Sequence, residues 1–177
     1  MRRVRLRGIN RKVLILNRMS TDNSQTDLHL IKHALLNQCR QYVQQRIATA
    51  RQAMQAAQEA ANSEEKSSAG DKYETGRAMA QLERDRHAQL LAEALKLEQE
   101  LSRVDAEKDY KIAQPGSLVI TDRGRFFVSI SAGKMVVDSV EYFAISPASP
   151  IAAALLGKKT GDAITFNRQM YHVNSVG

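Results

Sequence analysis

The sequence predicts an α+β protein: a long antiparallel α-helical coiled-coil hairpin followed by a small antiparallel β-sheet domain with one short helix. Three observations carry this. Residues 27–61 contain no Gly or Pro and repeat apolar side chains mostly every three or four positions. Residues 72–108 form a second periodic stretch, without Pro and with one Gly near its start, in which Leu90, Ala94, Leu97, Leu101 and Val104 step by 4, 3, 4 and 3. After Pro115-Gly116 the pattern changes to short β-branched and aromatic runs with Gly between them. The first two are the stripes of helices with one buried face, and the third reads as strands and turns.

Residues 1–26 read as a disordered basic and polar leader. Residues 1–18 carry seven Lys or Arg and no acid, whereas the other 159 residues balance 19 basic against 19 acidic side chains. The sequence pI of 9.7 therefore belongs to the leader, and the body has no broad field for steering phosphate. The longest apolar run there, Val13–Leu16, is too short for a secretory signal. An arm for RNA or acidic lipid, an organellar presequence, and translation starting at Met19 all fit, the last being the simplest. Elsewhere no run approaches the eighteen apolar residues of a membrane span. The single cysteine, Cys39, excludes an internal disulfide framework and fits a reducing cytoplasm.

The hairpin is expected over residues 27–111. In its first arm Leu28, Ile31, Leu35, Cys39, Tyr42, Ile47, Ala50, Met54, Ala57 and Ala61 mark the buried stripe. Two stripes joined by a short polar link should pair antiparallel. At about 1.5 Å per residue, arms of this length make a rod of ~50 Å. Its acidic tip lies at 62–75, where Gly70 breaks the helical pattern. Asp71 and Glu74 are three apart at a helix start, so both carboxylates can reach toward one cation. Oxygen ligands of this kind suit Mg²⁺. The same acids also suit a solvated turn, where they offset the positive helix end.

The sheet domain is expected over 115–177, with strands at 118–121, 125–131, 134–137 and 140–145. Ser149 then caps a helix over 151–156, with Pro150 in its first turn and Gly157 at its stop. Residues 163–166 and 170–176 close a hairpin around Asn167-Arg168-Gln169.

Several motifs carry no chemistry. Gly157-Lys158-Lys159-Thr160 lacks the upstream Gly of a phosphate loop, because position 152 is Ala. His29 and His33 are four apart, but Leu30 stands where a His-Glu-x-x-His site has Glu, so they read as surface histidines. Cys39 falls on the buried stripe. Ser129, Ser131 and Ser139 have no nucleophile elbow and no paired His. The chain thus has no self-contained active site.

The segment Ser146-Pro147-Ala148-Ser149-Pro150-Ile151-Ala152-Ala153-Ala154-Leu155-Leu156-Gly157-Lys158-Lys159-Thr160-Gly161-Asp162 closely resembles the signature of Gre-type transcript-cleavage factors. That signature reads Ser-x-x-Ser-Pro-aliphatic-Ala-x-Ala-Leu-aliphatic-Gly-Lys, followed by Gly-Asp. The order of parts is similar too, a coiled-coil hairpin and then an FKBP-like domain. Where Gre factors carry Gly-Asp-x-x-Glu-Asn at the tip, this chain has Gly70-Asp71-Lys72-Tyr73-Glu74-Thr75. The resemblance spans residues 27–177.

It implies binding to bacterial RNA polymerase through the C-terminal domain, with Ser146, Ser149, Pro150, Gly157, Lys158, Gly161 and Asp162 as the docking signature. It also implies that the hairpin enters the secondary channel. There Asp71 and Glu74 would help hold a second Mg²⁺, shared with the polymerase, while backtracked RNA is cleaved. The nascent RNA 3′ end would be reached indirectly, with at most weak contact to DNA or RNA, by a monomer in the cytoplasm. After the acidic pair the family continues Asn-Ala-Glu-Tyr, whereas this chain has Thr75-Gly76-Arg77-Ala78. Two functions therefore stay open: a cleavage-stimulating elongation factor, or a non-cleaving regulator that occupies the same channel. A helical adaptor for an unrelated partner is a third. A prolyl isomerase is disfavoured, because alternation should split Phe126, Phe127, Tyr142 and Phe143 between the two sheet faces.

Overall fold

The structure is a computed structural model. It describes the backbone of residues 11–66 and 71–177 and the side chains of residues 27–63 and 75–177. The element order is α1 (Arg11–Lys66), α2 (Asp71–Leu101), β1 (Leu118–Thr121), β2 (Arg125–Val128), β3 (Gly133–Val137), β4 (Val140–Ile145), α3 (Pro150–Leu155), β5 (Ala163–Phe166) and β6 (Gln169–Val176). The fold is α+β, a long helical region joined to one six-stranded mixed sheet. Among the described residues, no helix is long and apolar enough to cross a membrane. Helix α1 begins at Arg11, inside the stretch 1–26 read as a leader, whose side chains lie outside the described residues.

Helices α1 and α2 lie side by side and run in opposite senses. The Gln44 amide donates to Glu98 at 2.6 Å, Arg46 stands 3.9 Å from Glu93, and Arg84 donates to Gln58 at 3.3 Å. Leu35, Leu36, Cys39, Val43, Ile47, Ala94 and Leu101 are buried in the core that the two helices share with the sheet, with Leu91 and Leu97 packed against it. Two stripe positions differ from the sequence reading. Val43 is buried and Tyr42 is 37% exposed beneath Arg46, while Leu91 faces inward and Leu90 is 39% exposed. A helix turns 100° per residue, so a heptad count can settle on either of two adjacent apolar side chains. The tertiary contact chose the other one in both helices.

Helix α2 stops at Leu101 instead of running to Lys108. Backbone bonds from Arg103 to Glu100 and from Val104 to Leu101 tighten the last turn. The Asp105 carboxylate then accepts from the Glu107 amide at 2.9 Å, a local turn that competes with the helix. Beyond it the chain crosses the base of α1.

The sheet order is β3-β4-β2-β1-β6-β5. All neighbours are antiparallel except β2 and β4, which pair in parallel as Phe126↔Phe143, Phe127↔Ala144 and Val128↔Ile145. This corrects the expectation of an antiparallel sheet and of a strand running to Ser131. The chain leaves β2 at Val128, with Ile130 fully buried beyond it. It then passes outside the position β4 will take, so the returning half of the β3–β4 hairpin meets β2 running the same way. That hairpin closes through Asp138 and Ser139 at φ 50° and 64°, and β5–β6 through Asn167 and Arg168 at 49° and 62°. Paired positive φ values match the right-handed twist of two-residue hairpins.

Each face of the sheet is covered. Leu118 and Phe127, partners across β1 and β2, face α1 together with Ile130, Met135, Tyr142 and Ala144. Their neighbours Val119 and Phe126, also partners, face α3 with Val128, Leu155, Ile164 and Val173. The expected split of aromatics is thus observed for Phe126 and Phe127. On the α1 side Cys39 sits 3.7 Å from the Ser129 hydroxyl and 3.8 Å from the Met135 sulfur, and the Gln38 amide donates to the Val136 carbonyl at 2.8 Å. The base of the long helix is therefore part of the sheet's own core.

On the opposite face, the Ser149 hydroxyl accepts from the Ala152 amide at 3.3 Å, and Pro150 occupies the first turn of α3. Ser149→Ala should cost ~1 kcal/mol, read as a lower denaturation midpoint at unchanged slope. No change in midpoint would show that α3 is held by packing alone.

Candidate functional site

The sequence points to the two ends of the molecule. At one end, α2 begins at Asp71, so the backbone places Asp71 and Glu74 together in its first turn. Their side chains, and those of Glu64 and Glu65, lie outside the described residues, as does Gly70. The nearest described stretch of the helix pair is thin. Ala57, Ala61 and Ala80 face a shallow groove of about 100 Å³ beside Gln58, Arg77 and Arg84. Packing thus falls from Leu, Val and Ile near the sheet to Ala toward this end.

At the other end, the signature residues do structural work. The Ser146 hydroxyl accepts from the Ala148 amide at 3.2 Å and turns the chain into the Ser149 cap. Gly157 comes after α3 at φ 79°, a left-handed stop that an L side chain adopts only under strain. Its amide donates to Ala113 at 2.8 Å, and the Lys158 carbonyl accepts from the Ala113 amide at 2.7 Å. These bonds tie the helix stop to the segment preceding β1. The Asp162 carboxylate accepts from the Lys159 amide at 2.9 Å, and Gly161, at φ 90°, donates to the Val173 carbonyl at 2.9 Å. The seven predicted docking residues thus form one cap–helix–turn unit. Lys159, Thr160 and Gly161 are exposed on its turn, with Lys158 half-buried. Beside it, Ser146, Pro147 and Ala148 share a groove of about 310 Å³ with Glu100, Arg103 and Val104 at the end of α2.

A third constellation was missed in the sequence. Lys32 is fully buried in α1, its ammonium donating to the Lys108 carbonyl and lying 5.0 Å from the centre of the Tyr110 ring. Burial pushes its pKa down, opposed by Asp109, Asp105 and Glu107. On the same stretch of α1, His29 Nε2 lies 2.8 Å from Asp109, and His33 Nε2 contacts Glu107. The histidines read as surface residues are thus engaged by the crossing segment. The sequence does hold a trace of this: acids at 105, 107 and 109 come after the second helix, while the basic side chains His29, Lys32 and His33 share one face of the first. Cys39 is buried, and burial raises its thiol pKa against the opposing effect of Ser129, so packing is its role.

Neither a protein-family model nor a curated protein sequence matches this chain.

Proposed function

We propose that the protein is a Gre-type factor of bacterial RNA polymerase. The α1–α2 pair is then a coiled-coil hairpin that enters the secondary channel, and the sheet domain, FKBP-like in fold, docks on the polymerase. The observation that carries this reading is the Ser146–Asp162 segment, whose sequence resembles the Gre signature and which folds as one cap–helix–turn unit with an exposed turn. The described ends of the helix pair fit the reading, being broad at the sheet and thin toward the acidic turn. An oxygen-only pair in the first turn of α2 fits Mg²⁺, which proteins commonly hold by one or two carboxylates. Bound there, the ion would activate water and offset phosphoryl charge during cleavage of backtracked RNA. Asp71 and Glu74 would supply its ligands from outside the polymerase.

Gly76, just past the acidic pair, favours a second reading. It lies in the second turn of α2 and loosens it by ~1 kcal/mol relative to Ala. A tip held less firmly suits a regulator that blocks the channel without cleaving. Transcript cleavage by a backtracked polymerase, with and without the protein, separates the two. Stimulated cleavage supports the first reading, and altered pausing without cleavage supports the second.

Docking is tested on the whole chain. An isolated 115–177 fragment would expose the sheet face that α1 covers. Lys158→Glu reverses a charge beside the exposed turn and should weaken binding to polymerase at least tenfold, measured by competition with unlabelled wild type. Unchanged affinity would move the docking surface elsewhere.

A further inference from the structure

We propose that Lys32 of α1 and Tyr110 lock the register of the crossing segment, excluding an alternative path displaced by two residues. The lock does not depend on the polymerase reading. Residues 105–112 belong to no helix or strand, so no ladder of backbone hydrogen bonds aligns them with α1. Side chains must set the alignment instead.

The acids alone permit a slip. Asp105, Glu107 and Asp109 alternate along the segment and are all exposed. His29 and His33 are about one turn apart on α1, roughly 5.4 Å along its axis, and two residues of extended chain span roughly 7 Å. The two rows nearly match. His29 already reaches two acids, Asp109 at 2.8 Å and Glu107 at 3.6 Å, while His33 contacts Glu107. Moving the segment by two residues toward β1 would give Glu107 to His29 and Asp105 to His33. Exposed pairs of this kind contribute little, and as much in one register as in the other. Val104 would take the buried place of Ala106, one apolar side chain for another. The tight last turn of α2, closed by the bonds from Arg103 to Glu100 and from Val104 to Leu101, can unwind to supply the length. The opposite displacement is closed, because it would put Lys108 in the place of Ala106, which is only 3% exposed.

Lys32 separates the two registers. It is fully buried, and its ammonium donates to the Lys108 carbonyl and lies 5.0 Å from the centre of the Tyr110 ring. Tyr110 is the one aromatic residue between positions 102 and 117. After the slip, Lys108 would stand where that ring stood. A second ammonium beside a buried one would replace a ring face that attracts it. Tyr110 is itself fixed. Its hydroxyl lies so close to Gly116 that a Cβ there would come within 2.4 Å, and the Lys108 ammonium stands 5.2 Å from the ring centre. Burial pushes the Lys32 pKa down, so a cation at this place is held at a cost in stability. Setting register is the best-attested use of such buried polar groups.

The test is amide NMR of the isotope-labelled full chain. The wild type should give one set of signals for residues 103–113. Lys32→Met keeps the volume and removes the charge, a change that buried sites commonly tolerate. It should give a second set for those residues, populated to about 10% or more, with single signals retained in β5 and β6. Tyr110→Leu should do the same, because it removes the ring that only the native register supplies. Tyr110→Phe keeps the ring and should match the wild type. The Glu107→Gln, Asp109→Asn double variant should also keep one set, since the acids do not choose the register. A single set in either Lys32→Met or Tyr110→Leu would overturn the proposal. So would random-coil shifts across 103–113 in those variants, which would mean lost structure in place of a second register. Doubled signals in the Glu107→Gln, Asp109→Asn variant would overturn it too, by assigning the register to the carboxylates.

Discussion

Asp71→Asn and Glu74→Gln are each expected to abolish stimulated transcript cleavage while leaving polymerase affinity within about twofold. The substitutions keep size and most hydrogen bonding and remove only the charge that would hold Mg²⁺. Both residues open α2, whose 31 residues put the acidic turn ~45 Å from the sheet at 1.5 Å rise per residue. The docking surface should not sense the change. Activity should return in part at high Mg²⁺, because mass action refills a weakened site. A solvated turn predicts otherwise: no change in activity, and a stability loss of at most ~1 kcal/mol from the helix-end charge. Wild-type cleavage by both variants would leave the acids with that structural role.

Phe127→Ala is expected to cost ~3–5 kcal/mol, a large share of the ~5–15 kcal/mol that holds a folded protein together. Phe127 is fully buried and lies in the same core as Leu35, Leu36 and Cys39 of α1. The cavity would open where helix and sheet meet, so α1 should loosen from the sheet as well. Phe143→Ala is the control. That ring is 37% exposed and touches Phe126 at a centroid distance of 6.0 Å, and its loss should cost less than half as much. Denaturant melts monitored separately by helix and aromatic signals would check both. A Phe127→Ala midpoint within 1 kcal/mol of wild type would mean that the helix base and the sheet are held independently.

Sequence and structure part most clearly at this same junction. The two helical stretches and most strand limits were readable, because periods of 3.6 and 2 are local properties of the backbone. β1, β4 and β5 have the expected limits, and Ser149, Pro150 and Gly157 cap, open and stop α3 as their chemistry demands. The division into a rod and a separate domain captured less. The stripe of α1 was read as pairing with α2, yet the lower part of α1 also meets β3 and Ser129, and shares one core with residues of β1, β2 and β4. Periodicity shows that a face is buried but carries no information about what buries it.

The candidate sites divide along the same line. Asp71 and Glu74 could be found from the sequence, since side chains three apart in a helix start share a face wherever the helix lies. The grouping of His29, Lys32 and His33 with Glu107, Asp109 and Tyr110 could not, because the partners are about eighty positions apart. By itself the sequence determined most of the helices, strands and caps, though not the ends of α2 and β2, through backbone preferences that act within a few residues. Only the tertiary structure decided that β4 lies parallel to β2, that Val43 and Leu91 face inward in place of Tyr42 and Leu90, and that acids beyond α2 reach the histidines of α1. Those outcomes depend on where the chain crosses itself, and burial of the shared core sets that crossing.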